Sequence, residues 1–382
     1  MNFEYSEEQN ALKDSIVRWA QDNYSFEQRR VGADSDNGFS QNHYNTFAEL
    51  GWLSVPFSEE NGGYGGSVVD IAAVMEEFGK ALVVEPVFPN LILFGGLLER
   101  STNDAIKADL IPQVIDGSLM GAVALYEPQA HFDASNIATS ATEDGKSYLI
   151  SGHKSVVLGG AHAKKLIVVA RTSGAQTDED GLSLFLLDAG AAGVTVNAYP
   201  LMDGQQVADI HFDNASAQLI GDLGNASSAV KEVLTIAHVA LAAEAVGLME
   251  VLNRTTIEYT KTRKQFGVTI SSFQVLQHRM VDTFMSYEQA KSLLIGTLVE
   301  LTDDRTTPQR ASKMVNALRT LIAKNGKHIG DEAIQLHGGM GLTDEMNVGH
   351  YHKRMMMINL MFGNGDFFQN QFNQVAYASE CQ

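Results

Sequence analysis

Three stretches of helical periodicity, residues 230–259, 271–301 and 308–336, most constrain what this chain can fold into. Each outruns the three or four turns of an ordinary helix, and each carries more apolar residues than one outward face can hide. Such helices bury themselves against one another or against a second subunit. Pro308 suits the first turn of the third, where its missing N–H costs nothing. The most apolar run, 230–252, contains Lys231, Glu232, His238 and Glu244, which marks a buried helix rather than a membrane span.

The earlier sequence has a different character. Residues 1–118 read as helical: Ser6 followed by Glu7 and Glu8 forms a cap with an acidic first turn, and Leu12, Ile16, Val17 and Trp19 recur at helical spacing. Gly62-Gly-Tyr-Gly-Gly66 interrupts the pattern as a loop, with no Gly-Lys-Ser/Thr to make it a phosphate loop. Residues 119–225 hold short β-branched segments at 138–142, 148–150, 166–170, 182–187 and 194–196. Asp144-Gly145 reads as a hairpin turn. No helix-length segment separates these strands, so an antiparallel sheet is expected. The fold class is therefore α+β, with an N-terminal helical domain (1–118), a middle β domain (119–225) and a C-terminal helical bundle (226–382).

Composition narrows the function. The chain has 382 residues, 27 Lys+Arg against 46 Asp+Glu, and a net charge of −19, which opposes binding to nucleic acid or anionic membrane. The single cysteine, Cys381, cannot form an internal disulfide, and the N-terminus has neither a basic nor an apolar leader region, so a cytoplasmic location is expected. His350 and His352 are two apart and would not face together on a helix, so no metal site is expected.

Two C-terminal segments carry chemistry. Arg263-Lys-Gln-Phe-Gly267 follows a long helix; Arg263 can pair with a pyrophosphate and Phe266 can pack on a flat ring. Read alone, it is also a helix end with a basic cap. Gln335-Leu-His-Gly-Gly-Met-Gly341 places glycines where a backbone can approach a ligand, or where a helix simply breaks. On one scaffold of long helices, the pair favours a nucleotide site.

On these residues the chain resembles the acyl-CoA dehydrogenase family. Arg263-Lys-Gln-Phe-Gly, Ile270 and Phe273-Gln274 resemble one family signature; Gln335 to Glu345 resembles the second; Glu127-Pro128 with Asp133, and Gly152-x-Lys154, resemble motifs of its middle domain. The resemblance implies a C-terminal four-helix bundle, FAD bound across a subunit interface, and acyl-CoA as substrate. It also implies electron-transfer flavoprotein as electron acceptor and an oligomeric assembly. It carries cofactor contacts onto Arg263, Phe266, Gln274, Gln335, Gly338 and Gly339.

The departures are concentrated. The family's two locations for the catalytic glutamate read Phe362 and Ala237, and neither side chain can remove a proton. An arginine that helps hold substrate aligns with His238. The flavin-facing T-E-P-x-x-G-S-D reads Tyr126-Glu-Pro-Gln-Ala-His-Phe-Asp133, and W-I-T reads Val156-Val-Leu158. Residues that would touch flavin and substrate within one chain are replaced, and those resembling contacts to a neighbour's cofactor remain. This pattern resembles the non-catalytic partner subunits of heterotetrameric bacterial acyl-CoA dehydrogenases of sterol side-chain degradation. The expected partner is a homologous catalytic subunit. Two alternatives stay open: a stand-alone flavoenzyme with a base relocated to Glu244 or Asp366, and a structural homo-oligomer without FAD.

Overall fold

The computed structural model describes residues 5–377; Cys381 and the first residues of the N-terminal stretch lie outside them. Among the described residues the chain begins with six α-helices: α1 (Glu7–Asn23), α2 (Phe26–Ala33), α3 (Gln41–Glu49), α4 (Val68–Ala81), α5 (Gly96–Glu99) and α6 (Asp104–Ile115). Ser6 caps α1, accepting from the Gln9 amide while the Gln9 side chain accepts from the Ser6 amide. The glycine-rich segment at 62–66 is a loop. Its backbone amides donate to carbonyls within residues 54–59, and a Cβ on Gly63 would lie 2.1 Å from the Phe57 carbonyl oxygen.

Seven strands follow: β1 (Gly121–Ala124), β2 (Ser140–Asp144), β3 (Ser147–Leu158), β4 (Lys165–Arg171), β5 (Leu182–Asp188), β6 (Val194–Pro200) and β7 (Gln206–Leu219). β2 and β3 form the hairpin across Gly145, whose φ of +65° suits a tight turn. The pairings β4-β2-β3-β7-β5 return to β4, closing a small barrel, with β6 laid on β7. Closure removes the exposed edges of those strands. Its interior is filled by Ile150, Leu166, Val168, Phe185, Ile210 and neighbours. The expected antiparallel sheet is mixed: β1 runs parallel to β4, and β2 meets β4 in parallel at Ser140 and Arg171. Antiparallel neighbours need only a turn, but the segment between β1 and β4 contains a whole hairpin, long enough to bring the chain back in the same direction.

The C-terminal part holds α7 (Ser227–Thr262), a two-strand hairpin of β8 (Lys264–Gln265) and β9 (Val268–Thr269), then α8 (Gln274–Leu301), α9 (Pro308–His337), α10 (Asn347–Ile358) and α11 (Gly365–Tyr377). Thr307 caps α9 ahead of Pro308. Among the described residues α7 alone is long and apolar enough to cross a bilayer, and its central residues, Val239 to Ala243, are fully buried in protein.

Two compact units emerge. One comprises residues 5–29, 68–83 and 238–377; the other comprises 30–67 and 84–237. In the first, α4 and α7 approach backbone to backbone. A Cβ on Gly79 would lie 2.2 Å from the Glu244 carbonyl oxygen, and one on Gly247 would lie 2.1 Å from that of Glu76. Gly247→Ala is expected to destabilise near the upper end of the roughly 1–3 kcal/mol range for overpacking, because the obstacle is helix backbone. Urea denaturation of the variant checks this; an unchanged midpoint would show that the helices separate freely.

Candidate functional site

The end of α7 delivers the first motif to the surface. Arg263 is exposed, and its carbonyl accepts from the Ile270 amide (2.9 Å), closing the β8–β9 hairpin. Phe266 and Gly267 form its two-residue tip with φ of +56° and +81°. Positive φ at both central positions is the turn that fits strand twist, but for Phe266 it costs on the order of 1–2 kcal/mol. The turn holds the Phe266 ring 92% exposed, with the Phe273 ring edge-on at 6.2 Å. A large apolar ring held outward at a conformational cost has the character of a contact residue. Gln274 opens α8 and is likewise exposed.

The second motif ends α9. Gly338, with φ +60° and ψ −143°, takes a conformation open only to glycine, and a Cβ on Gly338 or Gly339 would meet nothing within 4 Å. Gln335, Gly338 and Gly339 are exposed. Just before them, His337 is buried and stacks on Tyr259 of α7 (ring centroids 4.3 Å), and the Tyr259 hydroxyl donates to the His337 carbonyl (3.3 Å). His337 Nδ1 bonds the Ala333 carbonyl (2.8 Å), and burial lowers its pKa. This stack ties the helix end carrying Arg263 to the one carrying Gly338. All six candidate cofactor residues thus sit at connected helix ends of one unit, exposed to solvent. A cation, an outward ring and open glycine backbone fit a dinucleotide such as FAD.

The motif residues of the other unit do not fit a flavin as well. His131 and Val156 both adopt left-handed backbone, φ +51° and +52°. Val156 sits where the β3–β7 register shifts, and its amide donates to Asp209 (3.0 Å). A β-branched residue at positive φ is a true outlier. The bend carries a valine and not an indole, and no hydroxyl stands at Leu158. Sequence spacing did not expose this strain. Gly152 is required by close approach: a Cβ there would lie 2.3 Å from Thr139 Oγ1.

Glu127 and Lys154 form a buried pair in this unit. Lys154 Nζ donates to Glu127 (2.7 Å) and to the Leu125 carbonyl (2.9 Å), and Glu127 also accepts from the Ala138 and Thr139 amides. Burial alone would raise the Glu127 pKa; the adjacent Lys154 charge and the hydrogen bonds outweigh it and hold the carboxyl at about 2, against 4.5 ordinarily. A carboxyl depressed in the folded state stabilises it above the unfolded value and loses that contribution as pH falls through the folded one. Stability should therefore fall between pH 4.5 and about 2. Glu127→Gln is expected to flatten that limb of the denaturation profile, and an identical acid limb in the variant would contradict the assignment.

The two positions that the resemblance aligns with the family's base carry no base. Ala237 is fully buried on α7. Phe362, between α10 and α11, has φ +60°, and its ring lies 6.2 Å from that of His238. His238 also meets the Phe368 ring edge-on at 5.0 Å, and its Nδ1 has no hydrogen-bond partner among the described residues. Burial, and then the Arg319 charge, push its pKa well below the usual value, so it accepts protons poorly. Arg319 is itself buried over the Phe368 ring (4.9 Å), and donates to the Ile358 and Met361 carbonyls. Glu244 is engaged by Arg354 through two hydrogen bonds of 2.5 and 2.8 Å, with side chains 6% and 4% exposed. Asp366 is exposed in the first turn of α11. His350 and His352 bond Asp344 and approach Asp331 (3.6 Å) separately, and no group of three potential metal ligands exists among the described residues.

Models of the N-terminal, middle and C-terminal domains of acyl-CoA dehydrogenase match residues 6–118, 122–215 and 227–376. The probable acyl-CoA dehydrogenase YngJ of Bacillus subtilis is 27% identical over 357 residues, covering 91% of this chain and 92% of its own length. Acyl-CoA dehydrogenase FadE12 of Mycobacterium tuberculosis is 28% identical, covering 91% and 90%. Among solved structures, a variant of the Tcur3481-Tcur3483 steroid ACAD matches with a TM-score of 0.87 at 25% identity, covering 98% of this chain and 99% of that one. PigA, solved with FAD and proline, shares the fold with a TM-score of 0.89 at 24% identity and 98% coverage of both chains. Helices, barrel and terminal helices match in the same order throughout, and the chain belongs to the acyl-CoA dehydrogenase superfamily.

Proposed function

We propose that this chain is the non-catalytic subunit of an FAD-dependent acyl-CoA dehydrogenase and completes the FAD site of a homologous catalytic partner. The observation that carries the reading is a division of residues. The exposed face of Arg263, Phe266, Gln274, Gln335, Gly338 and Gly339 is intact, and the base positions read Ala237 and Phe362. FAD, when bound, would take hydride from the β-carbon of the acyl thioester, and electron-transfer flavoprotein would receive the electrons. Arg263 would neutralise the pyrophosphate, a charge-assisted contact worth roughly 1.5–3 kcal/mol. Phe266 would cover a ring face, the Gly338-Gly339 backbone would admit close approach, and Gln274 and Gln335 would offer amide hydrogen bonds at the rim. Removal of the α-proton would fall to the partner. Glu244 cannot take that role, because Arg354 holds both its oxygens.

Co-expression with a homologous dehydrogenase chain tests the reading. A mixed oligomer by light scattering, yellow and active on an acyl-CoA thioester, is expected. Two separate homo-oligomers, or a flavin-loaded and active homo-oligomer of this chain, would overturn it.

A further inference from the structure

Buried cations in this chain show how it ordinarily matches a hidden charge. Lys154 meets Glu127 (2.7 Å), and Arg354 meets both oxygens of Glu244 (2.5 and 2.8 Å). Arg171 places Nε, Nη1 and Nη2 on the backbone carbonyls of Ile137, Asp180 and Ser135 respectively.

Arg319 on α9 departs from this. It is 2% exposed. Its Nη2 donates to the Ile358 (2.8 Å) and Met361 (3.0 Å) carbonyls, at and just beyond the end of α10. Its Nε and Nη1 are buried and have no hydrogen-bond partner among the described residues. No carboxylate pairs with it there. Burial lowers its pKa to about 9, so the guanidinium still carries its charge at neutral pH.

A second unsatisfied group rests on the same ring. Phe368 of α11 holds the Arg319 guanidinium 4.9 Å from its centroid and the His238 ring of α7 edge-on at 5.0 Å. His238 Nδ1 is buried and likewise unpartnered among the described residues. With its proton on Nδ1, a neutral imidazole there is a second donor. All three residues belong to the first unit. His238 and the neighbouring Phe362 are partly exposed, which gives a small ion a route from solvent.

We propose that this interior position binds chloride, held between an unpartnered N–H of Arg319 and Nδ1 of His238, against the Phe368 ring. A charge taken out of water is paired or neutralised, and a guanidinium keeps its proton. The positive edge of an aromatic ring suits an anion. Arg319, Phe368 and Ile358 are all buried, and such packing favours a monatomic anion over phosphate or a carboxylate. The net charge of −19 repels anions in general, so retention depends on this local pair. The site is independent of the proposed function, since neither Arg319 nor His238 belongs to the exposed cofactor face.

Crystals of the full chain grown with sodium bromide in place of chloride test the site directly, because bromide scatters anomalously and water does not. An anomalous peak within hydrogen-bond reach of both Arg319 and His238 is expected. In solution, the thermal midpoint should be higher in sodium chloride than in sodium gluconate of equal ionic strength. Gluconate is too large to enter, and screening is matched. Arg319→Met removes the charge and should abolish that difference. If this variant does not fold, the wild-type bromide peak and midpoints decide together. Water or no density beside Arg319, equal midpoints in the two salts, or an unchanged chloride effect in Arg319→Met would each overturn the proposal. A bromide peak without a chloride-dependent midpoint would mark an adventitious ion only and overturn it as well.

Discussion

Assayed alone with acyl-CoA thioesters of several lengths, this chain is expected to reduce flavin roughly 10²–10⁴-fold more slowly than an enzyme with a positioned base. The estimate rests on what surrounds each base location. Phe362 is a hydrocarbon ring beside His238 and Ala237 a methyl group, so neither position offers a lone pair. His238 is the nearest titratable group in sequence to Ala237, but burial and Arg319 keep its proton affinity low. Glu244 is committed to Arg354. Stopped-flow measurement of flavin reduction, with FAD supplied, checks this. Turnover at an ordinary enzymatic rate of about 1 per second or more would show that another group, Asp366 foremost, serves as base.

The largest stability effect should come from the same Glu244–Arg354 pair. It joins α7 to α10 with both side chains nearly excluded from solvent. Arg354→Ala leaves an uncompensated carboxylate in the interior, a change that costs about 3–5 kcal/mol. Replacing both members by apolar residues of similar volume should cost much less, because no charge is then stranded. Urea denaturation of both variants distinguishes these outcomes. A loss below about 1 kcal/mol in Arg354→Ala, the range of an exposed pair, would contradict the burial argument.

The long helices were legible because one physical signal, apolar residues at helical spacing, continues over many turns. The stretch at 230–259 is observed as Ser227–Thr262, and that at 308–336 as Pro308–His337. The stretch at 271–301 begins later, at Gln274, because Ile270–Ser272 forms a tight 3-10 turn first. The barrel was less legible. β7 is fourteen residues long, but Asp209, Asp213 and Asn214 break its apolar run, and it escaped notice. β1 has four residues, too few for a period to show. Closure depends on the parallel meeting of Ser140 with Arg171, which no local pattern announces.

The site divides in the same way. Motif residues can be read one by one, but the Tyr259–His337 stack that joins the two motifs spans 78 residues, and the Glu244–Arg354 pairing spans 110. Backbone strain was also hidden. His131, Val156, Phe266 and Phe362 all have positive φ, and of these residue types only histidine is enriched there. Each stands within a segment matched to a family motif.

The central claim is that Arg263 serves FAD lodged mainly in a partner subunit. The most direct test is the FAD dissociation constant of the mixed complex with Arg263→Ala in this chain and the partner unaltered. Arg263 is exposed, so the variant should assemble normally. A dissociation constant raised by about tenfold or more, with the complex intact by light scattering, is the result the account predicts. Unchanged affinity and flavin occupancy would leave Arg263 as a helix-end residue and contradict a shared site.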